Sequence, residues 1–249
     1  MLDSVTLLAC QSQQDGEHFV RLGLAREKLH ITGNVKFDIE LSEDQKKIGQ
    51  QLKETIGNRF VWVAASTHDS EEELMLAAHK CLLKENPNAL LILVPRHPER
   101  FNDVSRLLEK QGWMFSRRSL HDTLTHNTQI YLADTLGEMM ALFFTCDVAV
   151  VAGSFKPIGG HNVLEPAALS KPVISGPMIH NFIQAVDLLK ASDAIDIVDN
   201  DAMSLGTALC VLAKNPNLRA AKGERALKVV DANRGAVNKQ FALIQQILN

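Results

Sequence analysis

The sequence predicts an α/β protein built on a doubly wound parallel sheet. Short apolar runs of strand length alternate with stretches of helical periodicity along the whole chain. Those runs lack the in-out alternation of half-exposed strands, so both of their faces are expected to be covered. The residues that interrupt the pattern (glycines, prolines and single polar groups) gather just after the runs, where such a sheet holds its ligands.

The elements follow in order. Val5–Ala9 reads as a first strand, with a helix after it. TGNVKFD (32–38) reads as a boundary, because one strand and one helix are too little to bury a core. The expected organisation is therefore 1–38, the end of a preceding domain plus a linker, and 39–249, a self-sufficient domain. A chain that opens in mid-sheet is expected to be a piece of a longer protein. Ser42 with Gln45 forms a capping box opening a helix to about Ile56. Buried strands are expected at Phe60–Ala65, Ala89–Val94, Gln129–Leu132, Asp147–Val151, Pro172–Ser175 and Ile195–Val198. Helical faces are carried by Leu74, Ala77, Ala78, Cys81 and Leu82, by Phe101, Val104 and Leu108, and by Leu205, Ala208, Leu209 and Leu212. The tail 217–249 reads as helical, broken at Asn233–Gly235.

Composition excludes several classes. The net charge of −3 argues against a nucleic-acid binder. No stretch approaches the ~18 apolar residues of a membrane span, and LDSVTLLAC (2–10) lacks the basic region and cleavage site of a signal peptide. Cys10, Cys81, Cys146 and Cys210 stand far apart in apolar runs, as buried thiols of a reducing compartment do.

The strand ends carry the chemistry. After Phe60–Ala65, Ser70 or Asp69 suits a helix cap and Glu71–Glu73 its positive end, while Ser66 and Thr67 are placed to line a cleft. After Ala89–Val94 come Pro95, Arg96 and His97. Arg96 is a fork for phosphate oxygens, or else a solvated arginine paired with Glu99 or Asp103. After Gln129–Leu132, Asp134 or Thr135 suits a cap, Gly137 permits close approach to the backbone, and Leu136 and Met139 offer an apolar surface for a base. After Asp147–Val151, Gly153-Ser154 makes a turn into a Gly159-Gly160-His161 loop, and Asn162 opens a helix with Glu165 three residues on. Amides behind two glycines cradle anions. Asn-x-x-Glu is also a helix-start box, so Glu165 reads equally as a ribose ligand or a cap.

Other signals are absent. There is no P-loop, no G-x-G-x-x-G after the first strand, no G-x-S-x-G elbow and no metal-ligand spacing among the nine histidines. Asp199-Asn200-Asp201 matches a metal-dependent Asp-x-Asp, but its place at a helix start favours capping.

TGNVKFD (32–38), AASTHDSEEE (64–73), ILVPRHPERF (92–101), LGEM (136–139) and GSFKPIGGHNVLEPAALSKPVISGP (153–177) together resemble the C-terminal half of the 3-deoxy-D-manno-octulosonic acid (Kdo) transferases, in register from about Thr32 to Phe182. The resemblance implies a GT-B glycosyltransferase fold, with this chain carrying its C-terminal, Rossmann-like domain. It implies CMP-Kdo as donor, a lipid A precursor as acceptor, no metal and no other cofactor. It places CMP contacts at Pro95 and Arg96, at Leu136, Gly137 and Glu138, and at Asn162, Val163, Leu164 and Glu165. His97, Ser154, Gly160 and His161 are additional candidates. The family's acceptor site and general base belong to its N-terminal domain, so no catalytic residue is expected here and the chain alone is expected to be inactive. The whole protein is expected on the cytoplasmic face of the bacterial inner membrane. A UDP-sugar enzyme of the same fold, a nucleotide-sugar epimerase and a non-catalytic nucleotide-sugar module are the competing readings.

Overall fold

The structure, a computed structural model, describes residues 2–248. The chain divides into two compact units: the residues up to Glu40 together with those from Lys228 onward, and Leu41–Leu227.

The smaller unit pairs β1 (Leu8–Cys10) and β2 (Leu29–Ile31) in parallel, joined through α1 (Gln13–Arg21). β1 starts later than the expected Val5–Ala9, because Leu2–Ser4 forms a 3₁₀ turn. β2 was not legible, being short and centred on a histidine. The sequence reading runs the second domain to residue 249, whereas the contacts group residues from Lys228 with the N-terminal unit. The reason is Asp38, whose carboxylate accepts the Gly235 and Val237 amides at 2.5 and 2.6 Å and so caps α10 (Ala236–Leu248).

The larger unit is a seven-stranded, all-parallel sheet. In chain order its elements are α2 (Glu43–Ile56), β3 (Val61–Thr67), α3 (Glu71–Glu85), β4 (Leu90–Pro95), α4 (Phe101–Lys110), β5 (Phe115–Arg117), β6 (Ile130–Leu132), α5 (Met139–Thr145), β7 (Val148–Val151), α6 (Leu164–Ala168), β8 (Val173–Ser175), α7 (Ile183–Ala191), β9 (Ile195–Ile197) and α8 (Ala202–Lys214). α9 (Pro216–Asn233) follows. The strand order is β5-β6-β4-β3-β7-β8-β9. Each predicted strand of this sheet is present, and β5 is an addition at its edge. Ser42 and Gln45 form the expected reciprocal capping box.

Alternation along β3 builds both layers. Trp62 and Ala64 join the core shared with α3, α4 and α8, and Val61, Val63 and Ala65 join the core shared with α2 and α5. Within α3 the buried row is Glu71, Glu72, Met75, Leu76, Ala78, His79 and Leu82, while the expected Leu74, Ala77 and Cys81 are only partly buried. His79 is fully buried: it accepts the Trp62 indole N–H at Nδ1 (3.1 Å), and its Nε2 lies 3.0 Å from the Gln129 carbonyl.

This topology fixes where a ligand sits. The chain leaves central β3 toward β4, and later returns to β3's other side as β7. α3 covers one face and α5, against which α6 packs, covers the other. The loops leaving β3 and β7 therefore part over opposite faces and open a crevice at their carboxyl ends, the switch point of an open α/β sheet.

Candidate functional site

Four chain segments meet at this end of the sheet: the exits of β3, β4, β6 and β7. A buried carboxylate ties the first and last together. Glu71 is 1% exposed. Its Oε2 accepts the N–H groups of His68 (3.0 Å) and Gly153 (2.9 Å), and its Oε1 that of Phe155 (3.1 Å). Sequence reasoning assigned Glu71 and Glu72 to the dipole of α3 and missed this burial. The residue before α3 is Ser70, left-handed with no side-chain cap bond, so neither Ser70 nor Asp69 caps the helix as expected. Glu72 is fully buried and accepts from the Thr67 hydroxyl (3.2 Å) and Arg100 (3.1 Å), while Asp69 accepts from the same Arg100 at 2.8 Å.

At the β4 exit, Pro95 is buried as the last strand residue, and the Arg96 amide donates to the Thr67 carbonyl at 2.9 Å. The Arg96 side chain is exposed. Glu99 lies 4.0 Å from His97 and Asp103 pairs with Arg106, so neither neutralises Arg96. Among the described residues its guanidinium has no ion-pair or hydrogen-bond partner. Arg59, at the other end of the sheet, shows the contrast: it donates to the carbonyls of Asn88, Ala89, Thr125 and Thr128.

The β7 exit needs its glycines. Gly153 has φ +70°, and a Cβ there would lie 2.7 Å from the His161 ring. Gly159 has φ +105° and faces the His180 and Asn181 side chains. His161 reaches the β3 loop: its Nε2 is 2.8 Å from Nε2 of His68, with the two rings meeting end to end, centroids 5.0 Å apart and planes parallel to within 6°. His97 lies edge-on to His68 at 5.2 Å. Burial, His97 and the cations Arg96, Lys156 and Arg100 hold His68 below the usual imidazole value; burial, His68, Arg96 and His97 push His161 down to about 4.

Asn162 Oδ1 accepts the Leu164 amide (3.1 Å), and its Nδ2 donates to Glu165 Oε1 (3.2 Å). Glu165 thus leans on Asn162's side chain rather than closing a capping box on its backbone. Burial raises the Glu165 carboxyl, against the Asn162 bond and the charge of Arg96. The side chains of Val163 and Leu164 are buried, and the Leu164 amide is taken by Asn162. Ser154 requires correction as a ligand candidate. It is fully buried, donating to Val151 O (2.7 Å) and accepting the Gly176 amide (2.8 Å), so it pins the loop.

At the β6 exit, Leu136 is 70% exposed and Gly137 (φ +82°) has open space on its Cβ side. Glu138 is held by a two-pronged Arg118 pair (2.7 and 3.1 Å) and by the Thr135 hydroxyl, which keeps its carboxyl below the usual range. Asp134 and Thr135 were expected as caps. Asp134 instead binds Arg117 and Ser119, fastening the β5 loop. Asp201 does cap α8, accepting the Met203 and Ser204 amides at 2.9 and 2.8 Å. Among the described residues no His, Cys, Asp or Glu cluster could hold a metal, and no helix is long and apolar enough to cross a membrane.

A family model described as 3-deoxy-D-manno-octulosonic-acid transferase (kdotransferase) matches residues 1–39. The 3-deoxy-D-manno-octulosonic acid transferase of Haemophilus influenzae is 38% identical over the whole chain, which covers 58% of that protein. That of Bordetella pertussis is 33% identical over 96% of the chain and 56% of its own length. The chain thus spans a little over half the length of these relatives. Among solved structures, the C-terminal CMP-Kdo binding domain of WaaA from Acinetobacter baumannii is 33% identical with a TM-score of 0.72, over 76% of this chain and 99% of that domain. Anabaena Alr3699/HepE, solved with UDP-glucose, shares the fold alone at 17% identity and a TM-score of 0.55. A near-complete match to that domain at a third identity, on the same parallel sheet, fixes the lineage: the chain belongs to the 3-deoxy-D-manno-octulosonic acid transferase family.

Proposed function

We propose that the Leu41–Leu227 unit holds the donor site of a Kdo transferase, with CMP-Kdo as the donor. The observation that carries this reading is Arg96: an unpaired guanidinium at the exit of β4, close enough to Glu165 and His161 to act on both electrostatically. Arg96 and the glycine-loop amides suit the cytidylate phosphate, whose charge grows as the glycosidic bond breaks. Glu165, held by Asn162, suits the ribose hydroxyls. Leu136 and Gly137 suit the base, with Glu138, next in sequence, fixed by Arg118. The name of the Acinetobacter domain supports the same donor.

The acceptor, a lipid A precursor, and the bacterial inner membrane enter through the remainder of a whole transferase, which also supplies the general base. In that enzyme this unit binds the nucleotide and stabilises the leaving cytidylate, and no metal is required. Calorimetric titration with CMP, UMP and ADP tests the reading. CMP is expected to bind most tightly; a preference for ADP, or a folded protein indifferent to all three, overturns it.

A further inference from the structure

The crevice between the β3 and β7 exits is bridged by two imidazoles. We infer that the His68–His161 pair is a proton-accepting anion subsite: a dianionic phosphate monoester seated against it and Arg96 draws one proton from solvent onto the pair. This rests on the donor-site reading above and adds a chemical role for His68, which that reading leaves unused.

The geometry limits the pair's protonation states. Its contact joins like atoms, Nε2 to Nε2, at 2.8 Å with rings parallel to within 6°. One Nε2 must carry the hydrogen and the other must accept it, so the neutral pair holds one Nε2–H ring and one Nδ1–H ring. The first ring's Nδ1 then carries a free lone pair. Among the described residues neither Nδ1 has a hydrogen-bond partner. Adding a proton there makes an imidazolium whose Nε2–H still donates to the second ring, now as a charge-assisted bond. A further proton would set two N–H groups against each other. The pair therefore takes up one proton and no more without breaking.

The surroundings explain why the pair is neutral without an anion. His68 faces His97 and Arg96 from the β4 exit, Arg100 from the turn after it, and Lys156 from the β7 loop. His161 faces His68, Arg96 and His97. The nearby carboxylates are engaged elsewhere: Glu71 with the three amides, Glu72 and Asp69 with Arg100, and Glu165 with Asn162. Glu99 lies 4.0 Å from His97 and pairs with that ring rather than with either ring of the pair. A dianion entering the crevice reverses the sign of the field at both rings, and protonation becomes favourable.

Calorimetric titration of the whole chain with CMP at pH 7.5, in two buffers of different ionisation enthalpy, counts the protons. The second ionisation of a phosphate monoester lies near 6, so CMP is already a dianion at this pH. Uptake of about 0.5–1 proton per CMP is expected, with affinity strengthening several-fold between pH 8 and pH 6.5. His68→Asn and His161→Asn should abolish the uptake, while Arg96→Ala should weaken binding and keep it. Imidazole ¹⁵N spectra of the unmutated protein, with sulfate as a non-titrating dianion, test the pair without any substitution: both rings should move toward the imidazolium pattern together. CMP binding with equal heats in both buffers and unmoved imidazole signals overturns the inference and leaves the donor site standing. Sulfate protonating the pair while CMP fails to bind overturns the donor site and supports the subsite. No response to either anion overturns both.

Discussion

Replacing Glu71 tests whether the crevice is held open by one buried carboxylate. Its two oxygens serve three amides, of His68, Gly153 and Phe155, at 2.9–3.1 Å, and the residue is 1% exposed. Glu71→Ala strands all three. A buried donor left without a partner costs about 1–3 kcal/mol, which sets a ceiling near 9 kcal/mol. Water entering the vacated space and relaxation of the loops recover part of it, so a loss of about 3–5 kcal/mol is expected. Glu71→Gln keeps one carbonyl oxygen. Placed where Oε2 now lies, it still serves His68 and Gly153, while its NH₂ opposes the Phe155 amide; the loss should be about 1–3 kcal/mol. Urea unfolding at constant m-value gives both numbers. Because His68 and the loop leading to His161 hang from this carboxylate, CMP affinity should fall in the same order. A Glu71→Ala protein that loses less than about 1 kcal/mol, or a Glu71→Gln protein as unstable as it, would refute the argument.

Arg96→Ala should weaken CMP binding by about 1–3 kcal/mol and leave the unfolding midpoint unchanged, since calorimetry and urea melts read the two separately. Glu165→Ala should also weaken binding; if it instead costs about 1 kcal/mol of stability with binding intact, Glu165 is a cap and not a ribose ligand. His79 is held at about 4 by burial against an ordinary 6.5, so the unfolded chain binds the extra proton between those values. The His79 share of stability should be full above pH 6.5 and fall by about 3 kcal/mol as the pH drops to 4, on top of what the His68–His161 pair contributes, and His79→Gln should remove that share. Gly153→Ala places a Cβ 2.7 Å from the His161 ring at φ +70°; it should cost about 1–2 kcal/mol by thermal unfolding and break the His68–His161 contact seen by NMR.

What was legible in the sequence was what is local. Ala89–Val94 and Asp147–Val151 announced themselves because central strands covered on both faces can be apolar throughout. β2 and β5 did not, because three residues including His30 or Ser116 and Arg117 carry no periodicity, and both depend on pairing with a neighbour. Arg96 and Gly159-Gly160-His161 were visible because an arginine or a glycine pair after a strand is anomalous by itself. Glu71 was misread for the opposite reason. A glutamate opening a helix has an ordinary local explanation, and its partners Gly153 and Phe155 lie more than eighty residues away. Ser154 erred in the other direction, since a serine after a strand looks available until its burial is known.

The electrostatics of the larger unit separate structure from site. Arg100 is matched by Asp69 and Glu72, Arg117 by Asp134, and Arg118 by Glu138. Each pair joins segments that must stay together, and none leaves a cation looking for a partner. At the switch point the pattern reverses. Arg96 stands unmatched among the described residues, two imidazoles are kept neutral, and a half-buried carboxyl is raised toward protonation. Burial disfavours charge on both imidazoles and on Glu165, and only at Glu165 do other groups of the fold, Asn162 and Arg96, work against it. Violations of this kind persist where a ligand removes them. A bound dianion would neutralise Arg96, charge the imidazole pair favourably and leave Glu165 free to meet hydroxyls. The stability it returns grows with its concentration over its dissociation constant. The groups left uncompensated at the β3–β7 crevice are therefore what the proposed donor site requires, and they lie where the strand order turns back.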